Sequence, residues 1–219
     1  MAKKQFDLIV FDWDGTLMDS TATIVKCIQA SARDLGLDVP SHDAASHVIG
    51  LGLQEAMEKA LPGLDPKYYP RIVERYRYHY LSQDQELVLF DGVREMLTDL
   101  AEKGYFLAVA TGKSRVGLNR ALQAMELASF FDATRCADET FSKPHPAMLH
   151  ELTRELGQNM ERTVMIGDTT HDLQMAVNAG AAGIGVLYGA HPHAQLQSLN
   201  PLFVADSTPN LHAWLREHA

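Results

Sequence analysis

The sequence is short of cysteine, of positive charge and of long apolar runs, and each shortage removes a class of protein. Cys27 and Cys136 are its only cysteines, far apart and in no CxxC pair. That excludes a disulfide-stapled framework and a thiolate zinc ribbon, and predicts structural thiols in a reducing compartment. The 19 Lys and Arg residues against 28 Asp and Glu leave a net charge of −9 at pH 7. Polyanions repel such a chain, so neither nucleic acid nor an anionic membrane is an expected partner. The longest stretch without a strongly polar residue, Ala179 to Ala190, is glycine-rich and falls short of the ~20 residues that span a bilayer. Met-Ala-Lys-Lys-Gln at the start leads toward an apolar run with no h-region before it, so a secretory leader is not expected. A cytoplasmic protein, monomeric or weakly homo-oligomeric, is expected. No internal repeat or low-complexity tract interrupts it.

What is present suits a buried core. The chain has 219 residues, 46% hydrophobic and 21% charged, enough for one large domain carrying a smaller insert. Leu8-Ile9-Val10-Phe11 reads as a strand buried on both faces. Tyr105–Ala110, Ala133–Cys136, Thr163–Ile166, Ala182–Leu187 and Leu202–Ala205 read as further strands. Helical spacing separates them: Val93, Met96, Leu97, Leu100 and Ala101; then Leu118, Leu122 and Met125; then Leu149, Leu152 and Leu156 with Pro146 at N1. Leu173–Ala179 and Leu211–Glu217 complete the helical set.

Alternating strands and helices predict an α/β fold, a doubly wound parallel sheet with a Rossmann-like core. From Ser20 to Glu86 no convincing strand occurs. Ile24, Ile28 and Leu35 recur at helical spacing after a candidate cap at Asp19 or Ser20, and Gln54–Leu61 and Lys67–Leu81 also read as helices. This block is too long for one crossover. It is expected to be an inserted helical cap over residues 19–86, with residues 1–18 and 87–219 forming the core. Arg71, Arg75 and Arg77 alternate with Tyr76, Tyr78 and Tyr80, expected as solvated arginines and aromatics facing the cap core.

Polar clusters stand at the predicted strand ends. Asp12-Trp13-Asp14-Gly15-Thr16 follows the first strand, and taken alone could also be an acidic surface turn. Thr111-Gly112-Lys113-Ser114 follows the strand ending at Ala110, and Lys143-Pro144 precedes the helix at Pro146. Gly167-Asp168-Thr169-Thr170-His171-Asp172 follows Ile166. A parallel sheet gathers such ends into one crevice. Paired carboxylates, a lysine, a threonine hydroxyl and turn amides form a site for a hard divalent cation and a phosphoryl group. His191-Pro-His193 is expected to be a solvated loop rather than a zinc pair. His145 and His171 lie near the site in sequence, and local hydrogen bonding accounts for them.

The ordered motifs resemble the haloacid dehalogenase superfamily, in its phosphatase branch with a helical cap. Val48-Ile49-Gly50-Leu51-Gly52-Leu53 resembles the cap specificity loop of its phosphoglycolate phosphatase-like group. Trp13 departs from the smaller apolar residue usual there. The resemblance implies hydrolysis of a small phosphate monoester, phosphoglycolate first, then sugar phosphates, pyrophosphate and nucleoside monophosphates. It implies Asp12 as nucleophile, forming an aspartyl-phosphate, and Asp14 as acid and base. Thr111, Gly112 and Lys143 would hold the phosphate. Mg²⁺ would be held by Asp12, the Asp14 carbonyl and Asp168, with Asp172 in the second shell or in contact through water. An N-terminal helix carboxylate is the alternative for Asp172. The cap would move about linkers near Ser20 and Glu86–Asp91 to gate water and substrate. A phosphohexomutase of the same family is the competing enzyme. A receiver-type phospho-acceptor module is the competing non-enzyme, disfavoured by the size of the insert and by Asp14.

Overall fold

The computed structural model describes residues 4–83 and 86–219. The first residues of the start and residues 84–85 of the second linker lie outside these. Strands are numbered along the chain. β1 (Leu8–Phe11), β4 (Phe106–Thr111), β5 (Ala133–Cys136), β6 (Thr163–Gly167), β7 (Ala182–Val186) and β8 (Phe203–Ala205) form one six-stranded sheet in the order β5-β4-β1-β6-β7-β8. Every neighbouring pair is parallel. The expected doubly wound sheet is present.

Burial of β1 on both faces explains its unbroken apolar run. Ile9 and Phe11 join one cluster with Val93, Met96 and Leu97 of α5 (Val93–Glu102), Leu118 of α6 (Arg115–Ala124) and Leu211 of α10 (Thr208–His218). Leu8 and Val10 join another, with Met148 and Leu152 of α7 (Ala147–Leu156) and Met175 and Ala176 of α8 (Thr170–Ala179). The two-residue period of a strand sends alternate side chains to opposite layers. The chain leaves β1 toward β4 and β5, then returns to the other side at β6. The crevice beyond the carboxyl ends of β1 and β6 is therefore the topological switch point of this sheet.

Between β1 and β4 lie α1 (Thr21–Asp34), α2 (His42–His47), α3 (Leu53–Ala60) and α4 (Tyr69–Leu81). They pack around their own apolar cluster, which includes Ile24, Ile28, Met57 and Ile72. The chain reaches and leaves this unit through β2 (Met18–Asp19) and β3 (Val88–Leu89), an antiparallel ribbon pairing Met18 with Leu89. The sequence reading contains no such ribbon, because two-residue strands carry no periodicity.

Other expectations need correction. Ser20 is the residue before α1 but makes no side-chain capping bond. Pro146 stands at the N-cap of α7, one place outside its expected N1 position. A short helix, α9 (His193–Gln197), replaces part of an expected loop. Tyr76 and Tyr80 pack against the helical cluster, but Tyr78 is 61% exposed. Residues two apart on a helix cannot share a face, whereas 76 and 80 are one turn apart. Arg75 lies over the Tyr78 ring and pairs with Asp34 rather than standing free in solvent.

Phe11 is fully buried at the centre of the sheet. Phe11→Ala is expected to lower unfolding free energy by about 3–5 kcal/mol, read as a lower urea midpoint with an unchanged slope.

Candidate active site

The switch-point crevice holds a fully buried ammonium ringed by carboxylates. Asp12 follows β1 directly, and its amide donates to the Ile166 carbonyl of β6 (2.9 Å). Lys143 reaches it from the loop before α7, with Nζ 2.7 Å from Asp12 Oδ1 and 2.7 Å from Asp172 Oδ1. Asp172 is the third residue of α8 in a capping box: its Oδ2 accepts from the Thr169 amide (3.0 Å) and hydroxyl (2.6 Å). Asp172 thus serves both the helix terminus and the lysine. Asp168, at the end of β6, accepts from Thr16 Oγ1 (3.1 Å) and from the Ala190 amide (2.7 Å). Gly15 makes room for it: with φ at +78°, a Cβ there would overlap the Asp168 carboxylate. Only glycine meets both demands.

One carboxylate oxygen from each of Asp12, Asp168 and Asp172 lies within 4.8 Å of the other two. Asp12 Oδ2 is buried with no hydrogen-bond partner among the described residues. Three buried carboxylates gathered in this way offer an all-oxygen donor set, which fits a hard divalent cation.

The Asp14 side chain has partners of its own. Its Oδ1 accepts from Ser20 Oγ (2.7 Å), and its Oδ2 is 3.1 Å from Lys113 Nζ. The Ser20 hydroxyl donates to Asp14 and makes no capping bond to α1. Thr111 closes β4 and is buried, with its Oγ1 accepting from the Lys113 amide (3.2 Å). Gly112 meets the helical unit: a Cβ there would overlap the carbonyl oxygens of Gly50 and Leu51.

Known proteins resemble this chain in sequence and in fold. The haloacid dehalogenase-like hydrolase family matches residues 9–186. The chain belongs to that family. A relative from Dickeya dadantii, described as the probable phosphatase IndB, is 39% identical over 206 residues, covering 91% of this chain and 89% of its own. A phosphoglycolate phosphatase from Agrobacterium fabrum is 30% identical over 210 residues, covering 91% and 88%. The crystal structure of a "predicted phosphatase" from Clostridium acetobutylicum superimposes with a TM-score of 0.86 at 25% identity, covering 98% of this chain and all of its own. Membership of a hydrolase family removes the receiver-type reading. Among the described residues no helix is long and apolar enough to cross a membrane.

Within this haloacid dehalogenase-like chain, the 48–53 loop lies on the crevice. The Gly52 amide donates to Ser142 Oγ (2.9 Å), beside Lys143. His171 Nε2 and His191 Nε2 lie 2.9 and 3.2 Å from the His47 carbonyl oxygen of α2. The expected solvated loop at His191 is wrong, since that ring is 3% exposed and stacks on His47 at 4.8 Å. Burial pushes His191 down to about 4. Its neutral Nδ1 accepts from the Thr170 amide (3.0 Å), so Nε2 carries the proton facing His47.

The sequence places Lys113 at a helix start, Tyr80 on the cap core and Ser20 at a helix cap, and assigns none of the three to the site. The one available signal was that Lys113 shares the strand-end loop of Thr111 and precedes Ser114, the true N-cap of α6. Nothing in sequence announces Tyr80, whose hydroxyl accepts from Lys113 Nζ (2.8 Å) across the seam between units.

Burial, opposed by Lys143 and reinforced by Asp172, raises Asp12 from 3.8 to about 7. Burial, Asp12 and Asp172 likewise push Asp168 well up. Burial works against the Lys143 ammonium, but Asp12 and Asp172 outweigh it and hold it charged. A carboxyl whose folded value exceeds its unfolded one binds more protons when folded, so its contribution to stability is lost as pH rises from 3.8 toward 7. A bound divalent cation offsets that loss. Mg²⁺ is therefore expected to raise Tm more at pH 8 than at pH 5; equal shifts in a thermal melt would contradict this reading.

Proposed function

We propose that this chain is a Mg²⁺-dependent phosphatase of small phosphate monoesters, phosphoglycolate-like, working through an aspartyl-phosphate on Asp12. The observation that carries the reading is the asymmetry of Asp12: Lys143 Nζ lies 2.7 Å from Oδ1, while Oδ2 is buried with no hydrogen-bond partner among the described residues. A carboxylate held in that way is an oriented nucleophile. The names of the Dickeya and Agrobacterium relatives support phosphate ester hydrolysis.

Asp12 Oδ2 attacks phosphorus, forming one P–O bond as the bond to the leaving alcohol breaks. Asp14, oriented by Ser20 and Lys113, gives a proton to the departing oxygen. It then takes a proton from the water that attacks the aspartyl-phosphate, releasing inorganic phosphate and restoring Asp12. Thr111, the Gly112 amide and Lys143 hold the phosphate oxygens. Asp12, Asp168 and the Asp14 carbonyl would hold Mg²⁺, which would supply positive charge to offset that of nucleophile and phosphate. Asp172 acts through Lys143. The helical unit of residues 19–86 serves as a cap, its 48–53 loop excluding water over the reacting group.

Phosphate release from a panel of phosphorylated metabolites with Mg²⁺ tests this. Phosphoglycolate is expected among the best substrates, and Asp12→Asn is expected to cut the rate by ~10³ or more. Equal rates for Asp12→Asn and the parent would remove Asp12 as nucleophile. Conversion of β-glucose 1-phosphate to glucose 6-phosphate without released phosphate would establish the mutase instead.

A further inference from the structure

We infer that Lys113 is a specificity residue that selects phosphate esters whose leaving group carries an anionic oxygen next to the ester oxygen. The inference rests on the hydrolase reading, in which Asp14 serves the leaving oxygen. Lys113 precedes α6, and its side chain is only 10% exposed. Its Nζ lies 3.1 Å from Asp14 Oδ2 and 2.8 Å from Tyr80 Oη, and 4.6 Å from the Tyr80 ring centroid. Tyr80 stacks on Tyr76 at 5.8 Å, so α4 sets a paired aromatic face beside the Lys113 ammonium.

Position decides what the ammonium can recognise. The phosphate side of the crevice has its own lysine, Lys143, engaged with Asp12 and Asp172. Lys113 pairs instead with Asp14, the residue that must meet the leaving group. An acid that protonates an oxygen sits within hydrogen-bond reach of it, which puts the Lys113 ammonium within roughly 6 Å of that oxygen. An ammonium carries three N–H donors. Asp14 and Tyr80 take two, leaving one for a ligand.

A carboxylate on the carbon beside the ester oxygen falls within that reach, and so does the second phosphate of pyrophosphate. A charge-assisted hydrogen bond to either is among the stronger polar contacts a small ligand can make. A leaving group bearing only hydroxyls offers no charge to a desolvated ammonium. The tyrosine ring and hydroxyl hold the ammonium in place. Lys113 and Tyr80 thus read the leaving group while Lys143 reads the phosphoryl group.

The test compares kcat/KM for phosphoglycolate, pyrophosphate and ethyl phosphate, the last replacing the carboxylate of phosphoglycolate with a methyl. The unmodified protein is expected to prefer both anionic substrates, and the arm with the larger preference identifies which anion fits. Lys113→Met is expected to lower the ratio of phosphoglycolate or pyrophosphate to ethyl phosphate by about tenfold or more. Lys113→Arg is expected to keep most of it. Thermal stabilisation of Asp12→Asn by phosphoglycolate over ethyl phosphate, lost on adding Lys113→Met, supplies a readout without turnover. An equal fall for all three substrates would show that Lys113 only holds Asp14 and α4 in place, and would overturn the assignment while leaving the hydrolase intact. Absence of phosphate release from every ester by the unmodified protein would overturn the hydrolase reading and the assignment together.

Discussion

A lysine ammonium with no exposure to water sits between the carboxylates of residues 12 and 172, and most of the site's construction follows from that. Moving such a charge out of water costs several kcal/mol unless anions and hydrogen bonds surround it. Lys143 is stable there because Asp12 and Asp172 each place an oxygen 2.7 Å away. Those carboxylates are buried in turn and need their own support. Thr169 supplies it to Asp172 by fusing a helix cap to the ion pair. Asp168 depends on Thr16, the Ala190 amide and the space left by Gly15. Removing any one member leaves another buried charge short of partners.

The helical unit meets the sheet by a different physics. Each has its own apolar cluster. The crevice side of their junction is made of polar and backbone contacts: Gly112 against the Gly50 and Leu51 carbonyls, Gly52 with Ser142, His171 and His191 with the His47 carbonyl, and Lys113 with Tyr80. Polar contacts exchange for water at small net cost, whereas an apolar core does not. A junction of this kind suits two parts that separate and rejoin while each stays folded.

Strands β1, β4 and β6 were legible because a parallel strand buried on both faces is a continuous apolar run, and their polar sequels stood out against it. The sheet order turned those sequels into neighbours. Short elements were less legible: β2 and β3 have two residues each, and α2 (His42–His47) and α9 (His193–Gln197) offer too few apolar positions to show a period. Tyr78 was misjudged because alternation with arginine was read as one face, whereas helical geometry separates 78 from 76 and 80. The burial of His191 is not legible in sequence, because the ring is covered by His47 of α2, distant in the chain.

The amino-acid order by itself determined the alternation of buried strands with helices, the length of the insert after β1 and which polar residues follow which strand. These properties depend on periodicity and on neighbours along the chain. Only the tertiary structure decided partnerships: Ser20 with Asp14 rather than with its own helix, Lys113 between Asp14 and Tyr80, Lys143 shared by Asp12 and Asp172, and His171 and His191 on one carbonyl of α2. Ion pairs and hydrogen bonds act over a few ångströms, and those separations between residues distant in the chain arise only once the sheet order and the seat of the helical unit are set.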